Sequence, residues 1–397
     1  MLSEKNLYTS SIRLNNIAFS PVRKVLNRAK ELEKEGRRII HLEIGEPDFD
    51  TPQPIVEATI KALDNDKLTH YGPNAGDALL RENIAAKMGR DKGLEINPDE
   101  ILITVGAAEA IFVAIMALID PGDEVIILSP AFMNYLNCVQ IAEGVPVVIP
   151  LKEENEFQID PQEVAARITG NTKMIILNNP HNPTGTVYHK NVLEEISQIV
   201  VNRDILVLSD EIYDAIVYGG ARHYSMGSFP GLKERTITIN GFSKTYAMTG
   251  WRLGYLIANE RFMPSFIKVH QYVATCAPTF IQAGAAHGML ESEQDIREMV
   301  AIFEKRKEIL IKGLQEISGL DCVKPQGAFY VMVNITKLGL SAEEFAHKLL
   351  EDKGVAVVPG TGFGLGGEGY IRISYATSDD SLRVGINKIK ELVGELN

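Results

Sequence analysis

One lysine lies in a segment of small and apolar residues that could give its amine unusual chemistry. Lys244 follows Ser243, and the segment ends in Gly250-Trp251-Arg252-Leu253-Gly254. Burial among such neighbours disfavours the charged ammonium, and a neutral lysine amine can form a Schiff base with a carbonyl compound. Because exposed lysines are far more common than buried reactive ones, Lys244 alone does not establish this chemistry.

A carboxylate follows an almost wholly apolar stretch of the chain. Ile205–Ser209 is predicted to form a buried strand, and Asp210-Glu211-Ile212-Tyr213 comes directly after it. An unpaired carboxylate at that position would be costly, so Asp210 requires a partner. Either the cationic ring nitrogen of a bound molecule or a nearby arginine would satisfy it.

Two other loops also follow predicted strands. Asn178-Asn179-Pro180-His181-Asn182-Pro183-Thr184-Gly185 contains two prolines and three asparagines in eight residues. That composition predicts a rigid loop that presents polar amides. Gly106-Ala107-Ala108 stands between a strand and a helix, where free N–H groups and the helix dipole could bind an anion. Taken alone, a tight turn without a ligand is the simpler interpretation of this second loop.

The elements that carry these loops alternate along the chain. Short apolar runs bounded by turn signals predict parallel strands buried between helices, which is an α/β fold. The predicted strands are Ile101–Val105, Glu124–Leu128, Val145–Ile149, Met174–Leu177, Ile205–Ser209 and Thr236–Ile239. Open α/β sheets bind ligands at the carboxyl ends of their strands, so the four loops are expected to meet at that edge.

The pattern changes near Ala285. Long charged helices are predicted over roughly Ser292–Ser318, followed by strands near Phe329–Val333, Val355–Val358 and Tyr370–Tyr375. We therefore expect a second, smaller domain in the C-terminal part, with the N-terminal segment folding back onto it.

Bulk composition excludes several classes of protein. The chain has 397 residues with 40 basic and 52 acidic side chains, a net charge of −12, so nucleic acid is not an expected partner. Met1–Ser10 is polar and gives no secretory signal, and the apolar stretch Ile101–Ile119 contains Glu109 and is predicted as strand, turn and helix rather than a membrane span. Three widely spaced cysteines indicate neither a disulfide framework nor a metal site, and favour a cytoplasmic protein.

One glycine-rich motif is set aside. Gly362-Phe363-Gly364-Leu365-Gly366-Gly367 matches the dinucleotide pattern G-x-G-x-x-G. A strand-like run, Tyr370–Ser374, follows it instead of the helix that a nicotinamide-binding site requires. The motif therefore does not predict a dehydrogenase.

Together the loops resemble those of the class I/II (fold type I) pyridoxal-phosphate-dependent aminotransferases, in particular the aspartate and aromatic aminotransferases. The resemblance covers nearly the whole chain in the family's order. Its pieces are Gly45-Glu46-Pro47-Asp48-Phe49, Tyr71-Gly72-Pro73-Asn74-Ala75-Gly76, Gly106, Pro130-Ala131-Phe132, Asn178 to Gly185, Asp210 to Tyr213, Ser243 to Gly254, and Arg372-Ile373-Ser374. It implies a mostly parallel seven-stranded sheet between helices in a large domain, 51–285, that binds pyridoxal 5′-phosphate. Residues 1–50 and 286–397 would form a smaller α+β domain.

The resemblance also implies a role for each residue near the cofactor ring. Lys244 would hold the cofactor as a Schiff base and, once displaced by the substrate, would carry a proton between substrate and cofactor. Asp210 would pair with the pyridinium nitrogen. Asn182 and Tyr213 would donate hydrogen bonds to the phenolic oxygen. Phe132 would stack on the ring, although ordinary core packing is the alternative for this residue.

Further residues are implied at the cofactor phosphate and at the substrate. The phosphate would be held by Gly106, Ala107, Ala108, Ser243 and Arg252. Arg372 would bind the substrate α-carboxylate through two parallel hydrogen bonds, with Gly45 and Asn182 beside it. Tyr71 would reach the phosphate of the neighbouring subunit, which implies a homodimer.

The activity implied is ping-pong transfer of an amino group from an L-amino acid, aspartate or an aromatic or aliphatic one, to a 2-oxo acid such as 2-oxoglutarate. A cysteine-S-conjugate β-lyase, which uses the same residues but expels a β-substituent, is the alternative. The whole-chain likeness favours transfer. A non-enzymatic ligand sensor on this fold would need an added N-terminal DNA-binding module, for which the residues before Leu14 are expected to leave no room.

Overall fold

A computed structural model of the chain describes residues 11–396, with Asn16 and Ala18 excepted. The helices are α1 (Pro21–Lys34), α2 (Gln53–Asp64), α3 (Ala78–Lys92), α4 (Ala107–Leu118), α5 (Asn134–Ile141), α6 (Pro161–Arg167), α7 (Lys190–Arg203), α8 (Met263–Val273), α9 (Thr279–Gly288), α10 (Glu293–Gln315), α11 (Ala342–Lys353) and α12 (Asp379–Leu396). The strands are β1 (Ile40–His41), β2 (Ile101–Thr104), β3 (Glu124–Ser129), β4 (Val145–Pro150), β5 (Thr172–Asn178), β6 (Leu206–Asp210), β7 (Thr236–Gly241), β8 (Gly254–Ile257), β9 (Asp321–Cys322), β10 (Tyr330–Asn334), β11 (Val355–Ala356), β12 (Val358–Pro359) and β13 (Tyr370–Ser374).

The largest sheet has seven strands in the order β2-β8-β7-β6-β5-β3-β4. All are parallel except β8, which runs antiparallel to both β2 and β7. The prediction of a mostly parallel α/β sheet is therefore confirmed. Strand β8 was not among the individually predicted strands, because the glycine-bounded segment that leads into it has the composition of a loop.

Helices cover both faces of this sheet because successive strand residues point to opposite sides. Leu102 of β2 packs in one apolar cluster with Ile111 of α4. Its neighbours Ile101 and Ile103 pack in another cluster with Leu80 of α3. Both faces are thus apolar, as a parallel sheet between helix layers requires.

The remaining strands form two smaller sheets. A four-stranded antiparallel sheet has the order β12-β13-β10-β9, and β1 pairs with β11 in parallel, with Ile40 opposite Val355. Residues before position 50 thus contact residues after position 286, although the proposed domain boundaries stay a prediction. Helix α1 begins with Pro21, a residue that suits the first helical position because it needs no N–H there, and Ser20 makes no side-chain cap.

The segment that raised the question of a membrane span is strand β2, the turn at Gly106 and helix α4, as predicted. Within the part of the chain that the structure describes, no helix combines the length and apolar character needed to cross a membrane.

Candidate active site

The loops that follow β5 and β6 are joined at the carboxyl edge of the seven-stranded sheet. Asn178 lies opposite Asp210 in the parallel register. The side-chain amide of Asn178 and the backbone N–H of Asn179 both donate to the Asp210 carbonyl, each at 3.0 Å. These contacts hold two of the four predicted loops against each other.

Lys244 lies in the turn after β7, partly buried, beside the buried Ser243. Its Nζ donates a hydrogen bond of 2.6 Å to the carbonyl of Gly45. Burial lowers the pKa of Lys244 to about 8; Glu46 and Asp210 oppose this effect, and two arginines add to it, Arg372 and Arg252. Above about pH 8 the amine is therefore neutral and nucleophilic, as Schiff-base chemistry needs.

The Asp210 carboxylate is buried and held by two donors. Tyr135 of α5 donates its hydroxyl to Oδ2 at 2.6 Å, and the backbone N–H of Ile212 donates to Oδ1 at 3.1 Å. Burial raises the pKa of Asp210 to about 6, against the effects of the Tyr135 and Ile212 hydrogen bonds and of the Lys244 charge. A cation placed at this carboxylate would be stabilised strongly, because so little water screens it.

Tyr135 is a site residue that sequence reasoning missed. Phe132, predicted to stack on a cofactor ring, lies edge-on to it with ring centroids 5.8 Å apart at 84°. The one available signal was a tyrosine three residues after Phe132, which brings both side chains to the same end of α5. That spacing does not distinguish a site residue from ordinary packing.

The turn at Gly106 has the form of an anion site. Gly106 has φ = +86°, and a Cβ added there would lie 2.5 Å from Nη2 of Arg252. Helix α4 starts at the next residue, so the N–H groups of Ala107 and Ala108 lie in its first turn, where a helix leaves its N–H groups free for a ligand. Arg252 is exposed and donates to the carbonyl of Thr249 at 2.9 Å. A guanidinium thus lies close to the turn that begins α4.

Arg372 is a buried arginine on β13 with incomplete pairing. Its Nη2 donates to the carbonyl of Glu43 at 2.6 Å, and its Nη1 donates to Oδ1 of Asn182 at 3.3 Å. Among the described residues its Nε has no hydrogen-bond partner. The guanidinium lies 4.4 Å from the Tyr330 ring and 4.8 Å from the Phe363 ring. This arrangement suits the capture of a carboxylate between flat apolar walls.

Tyr330 is a second residue that the sequence did not indicate. Its hydroxyl shares a hydrogen bond of 2.9 Å with the hydroxyl of Tyr213, 117 residues earlier in the chain. A Cβ at Gly45 would lie 2.5 Å from the Tyr330 hydroxyl. Glycine at this position therefore lets the backbone that meets Lys244 pass close to both tyrosines.

The set-aside glycine-rich motif lies next to the site, in a position unrelated to dinucleotide binding. Phe363 ends a short 3-10 helix, and strand β13 follows the motif, so the helix that a dinucleotide site needs is missing, as predicted. The Phe363 carbonyl accepts from the N–H of Ala131 at 2.8 Å, and the Leu365 carbonyl accepts from Oγ of Ser129 at 2.6 Å. The motif thus holds the residues just before Phe132 against the segment that leads into β13.

Tyr71 stands apart from the residues described above. It is 87% exposed, in a segment whose Leu68 and His70 carbonyls accept from the hydroxyl of Thr279 at 2.9 and 3.1 Å. The structure therefore does not bring Tyr71 to the phosphate turn of its own chain.

A family model described as "Aminotransferase class I and II" matches residues 37–389. The chain belongs to the class I and II aminotransferases. As a member of this family it is a pyridoxal-phosphate-dependent transferase of fold type I, as the sequence resemblance implied.

Relatives of this aminotransferase cover nearly its whole length. An aspartate aminotransferase of Pyrococcus abyssi is 44% identical over 97% of this chain and 98% of its own. An aromatic-amino-acid aminotransferase of Thermococcus litoralis is 43% identical over the same shares. A solved aspartate aminotransferase of Thermus thermophilus with maleate superposes with a TM-score of 0.92 at 37% identity, over 97% of this chain and 99% of that one. These names favour amino transfer over the β-lyase alternative.

The side chains of this aminotransferase fit its cofactor. The buried Asp210 carboxylate offers a partner to a pyridinium nitrogen, and the partly buried amine of Lys244 offers a nucleophile to an aldehyde. At Gly106 there is no room for a side chain beside Arg252, so the guanidinium can lie against the start of α4, where an anion would meet both a positive charge and free N–H groups. Each chemical feature of pyridoxal phosphate thus has a complementary group at the edge of the sheet.

Proposed function

We propose that Lys244, Asp210 and Tyr213 are the catalytic residues of amino transfer between an L-amino acid and a 2-oxo acid. The observation that carries this proposal is the convergence on the Lys244 amine. It contacts the Gly45 carbonyl, and its pKa responds to Asp210 and to two arginines from different parts of the chain. The bound cofactor supplies a protonated aromatic ring that accepts the electron pair of the substrate Cα–H bond.

Asp210 keeps a proton on the ring nitrogen, because a buried carboxylate at this position strongly favours a paired cation. Tyr135 holds that carboxylate in place through its 2.6 Å hydrogen bond. Tyr213 and Asn182 would donate to the phenolic oxygen, and Phe132 would lie against the ring. The phosphate would be held by Gly106, Ala107, Ala108, Ser243 and Arg252.

Arg372 orients the amino acid through its α-carboxylate. The Glu43 carbonyl and the Asn182 side chain fix two nitrogens of the guanidinium, so its direction is set before substrate arrives. The backbone at Gly45 lies beside the same carboxylate. The amine of Lys244 would act as general base and then as general acid for the proton at the substrate Cα.

For the substrates we propose aspartate or an aromatic or aliphatic L-amino acid as donor, and a 2-oxo acid such as 2-oxoglutarate as acceptor. Relatives with aspartate and with aromatic names support both donor classes. The Tyr330 and Phe363 rings beside Arg372 supply an apolar wall against which a large side chain can pack.

A substrate panel tests this function. With each donor alone, the holoenzyme should form one equivalent of 2-oxo acid per subunit and then stop. Adding 2-oxoglutarate should restore continuous turnover, because ping-pong transfer needs the second substrate to reset the site. Lys244→Ala protein serves as the control. Continuous release of pyruvate and ammonia from a cysteine conjugate without an acceptor would contradict transfer and support the lyase.

We further propose a cytoplasmic homodimer, with Tyr71 reaching the partner's phosphate site, and a division into domains of residues 51–285 and of 1–50 with 286–397. The 87% exposure of Tyr71 supports an intersubunit role, and the three free cysteines support a reducing compartment. The pairing of β1 with β11 supports the division.

Complementation tests the role of Tyr71. Tyr71→Ala is expected to weaken cofactor binding by about 10- to 100-fold, the effect of one hydrogen bond to a charged phosphate. A hybrid of one Tyr71→Ala and one Lys244→Ala subunit, purified through two tags, should then contain one intact site. At limiting cofactor it should show about half the wild-type activity, one site of two. A hybrid no more active than the average of its parents would show that Tyr71 acts within its own chain or not at all.

A further inference from the structure

A second group of ionisable side chains lies next to the catalytic segment without belonging to the site. Glu211 follows Asp210 and Asp214 follows Tyr213 in the sequence, but Glu211 and Asp214 contact other residues than these two proposed catalytic residues do. Glu211 and Asp214 are both buried. Buried carboxylates that do not face the cofactor require another explanation, since each is costly unless paired.

Three contacts connect the two carboxylates. Nζ of Lys92, at the end of α3, lies 2.9 Å from Oδ2 of Asp214 and 3.1 Å from Nδ1 of His223. Nε2 of His223 lies 3.6 Å from Oε2 of Glu211. We call Asp214, Lys92, His223 and Glu211 the buried chain.

The direction of each contact follows from the chemistry of the groups. Burial lowers the pKa of His223 to about 3, and the Lys92 charge adds to this effect, so the ring is neutral. An ammonium can only donate, so Nδ1 of His223 accepts from Lys92 and the ring proton lies on Nε2. Among the described residues neither Nε2 of His223 nor Oε2 of Glu211 has a hydrogen-bond partner, so the 3.6 Å between them is a close polar contact and not a hydrogen bond.

Glu211 is fixed through its other carboxylate oxygen. Oε1 accepts from the hydroxyls of Ser209 and Ser225, each at 2.8 Å, and from the N–H of Met226 at 3.2 Å. The four-residue stretch after β6 is therefore tied at its first and last residues, Glu211 and Asp214. Tyr213 lies between these two fixed points, and Asp210 lies immediately before the first.

We propose that Lys92 is a positioning residue, which through Asp214 and His223 holds Asp210 and Tyr213 in the arrangement that binds the cofactor. This inference rests on the proposed roles of those two residues. A buried ionic group adds little net stability over a well-packed apolar one, but its directional contacts allow fewer arrangements. Because Lys92 comes from a different helix, it fixes the catalytic segment relative to α3.

The test is a double-mutant cycle that pairs Lys92→Met with Tyr213→Phe. Cofactor dissociation constants and single-turnover rates are measured on reconstituted holoenzyme. Lys92→Met alone should weaken cofactor binding and slow the first half-reaction by about tenfold each, with little change in the KM of the amino acid. In the Tyr213→Phe background the same change should have a smaller effect than in the wild type, because the Tyr213 hydroxyl that Lys92 helps to position is already absent.

Two further variants keep the test decisive. Lys92→Met alone leaves the buried Asp214 carboxylate without its ion-pair partner, which could prevent folding. The double variant Lys92→Met, Asp214→Asn removes that charge and can be measured in its place. Lys173→Met removes a partly exposed ion pair to Asp123, 2.7 Å long, and should leave cofactor binding unchanged. Effects of Lys92→Met that add in full to those of Tyr213→Phe, or a loss of thermal stability with normal cofactor affinity, would overturn the inference. Normal cofactor binding in Tyr213→Phe and Asp210→Asn would instead show that the proposed catalytic roles are wrong.

Discussion

Lys244→Ala protein is expected to bind pyridoxal phosphate only reversibly and to lose nearly all turnover. The amine has two proposed functions: it holds the cofactor covalently, and it moves the proton at Cα. Loss of a positioned general acid–base alone slows a reaction by about 10²- to 10⁴-fold, and we expect the upper end because no other group takes over the proton. The partly buried Lys244, whose pKa is lowered to about 8, is suited to both functions in a way that an exposed lysine is not.

The measurement combines the visible absorption of the bound cofactor with turnover at saturating substrates. Lys348→Ala is the matched control, because Lys348 lies exposed on α11, and it should behave as the wild type. A small amine added to Lys244→Ala protein should restore part of the rate, since it can supply the missing base. Activity within tenfold of the wild type in Lys244→Ala would mean that another group carries the proton.

Arg372→Lys is expected to lower kcat/KM for amino acids by about 100-fold. Lysine keeps the positive charge but cannot form two parallel hydrogen bonds with a carboxylate, and loss of one bond to a charged group accounts for a change of that size. The shorter-reaching ammonium would also lose the contacts with the Glu43 carbonyl and Asn182 that direct the guanidinium.

Arg372→Lys should change the binding of the substrate but not the binding of the cofactor, and this difference tests the role of Arg372. Most of the loss should appear as a higher KM, while the cofactor dissociation constant and absorption stay at wild-type values. An equal loss of cofactor affinity would indicate that Arg372 supports the fold of the site rather than the substrate carboxylate. Unchanged kinetics would remove Arg372 from the substrate site.

The sequence contained enough to place the main groups of the site. Asp210, Asn182 and Lys244 each follow an apolar run, and parallel strands bring the ends of such runs to one edge. Local composition therefore predicted their neighbourhood before any contact was known. The roles assigned to them came from the family resemblance, and those roles remain predictions.

Contacts between distant parts of the chain were not predictable in the same way. The Tyr213–Tyr330 pair joins β10 to the loop after β6, and Tyr135 reaches Asp210 from a helix 75 residues earlier. Neither Tyr330 nor Tyr135 lies in a local sequence pattern that distinguishes it from a residue of the hydrophobic core. Strand β8 was missed because the segment that leads into it has the composition of a loop, and its reversed direction follows from its pairing with two neighbours rather than from its own four residues.

Chemical trapping of the cofactor tests the central claim most directly. Borohydride added to the holoenzyme makes the covalent link to the cofactor permanent, and peptide mass spectrometry then locates the added mass. We predict one pyridoxyl group per chain, on the peptide that contains Ser243-Lys244. Modification of a different lysine, or none under conditions where the enzyme turns over, would contradict the assignment of Lys244.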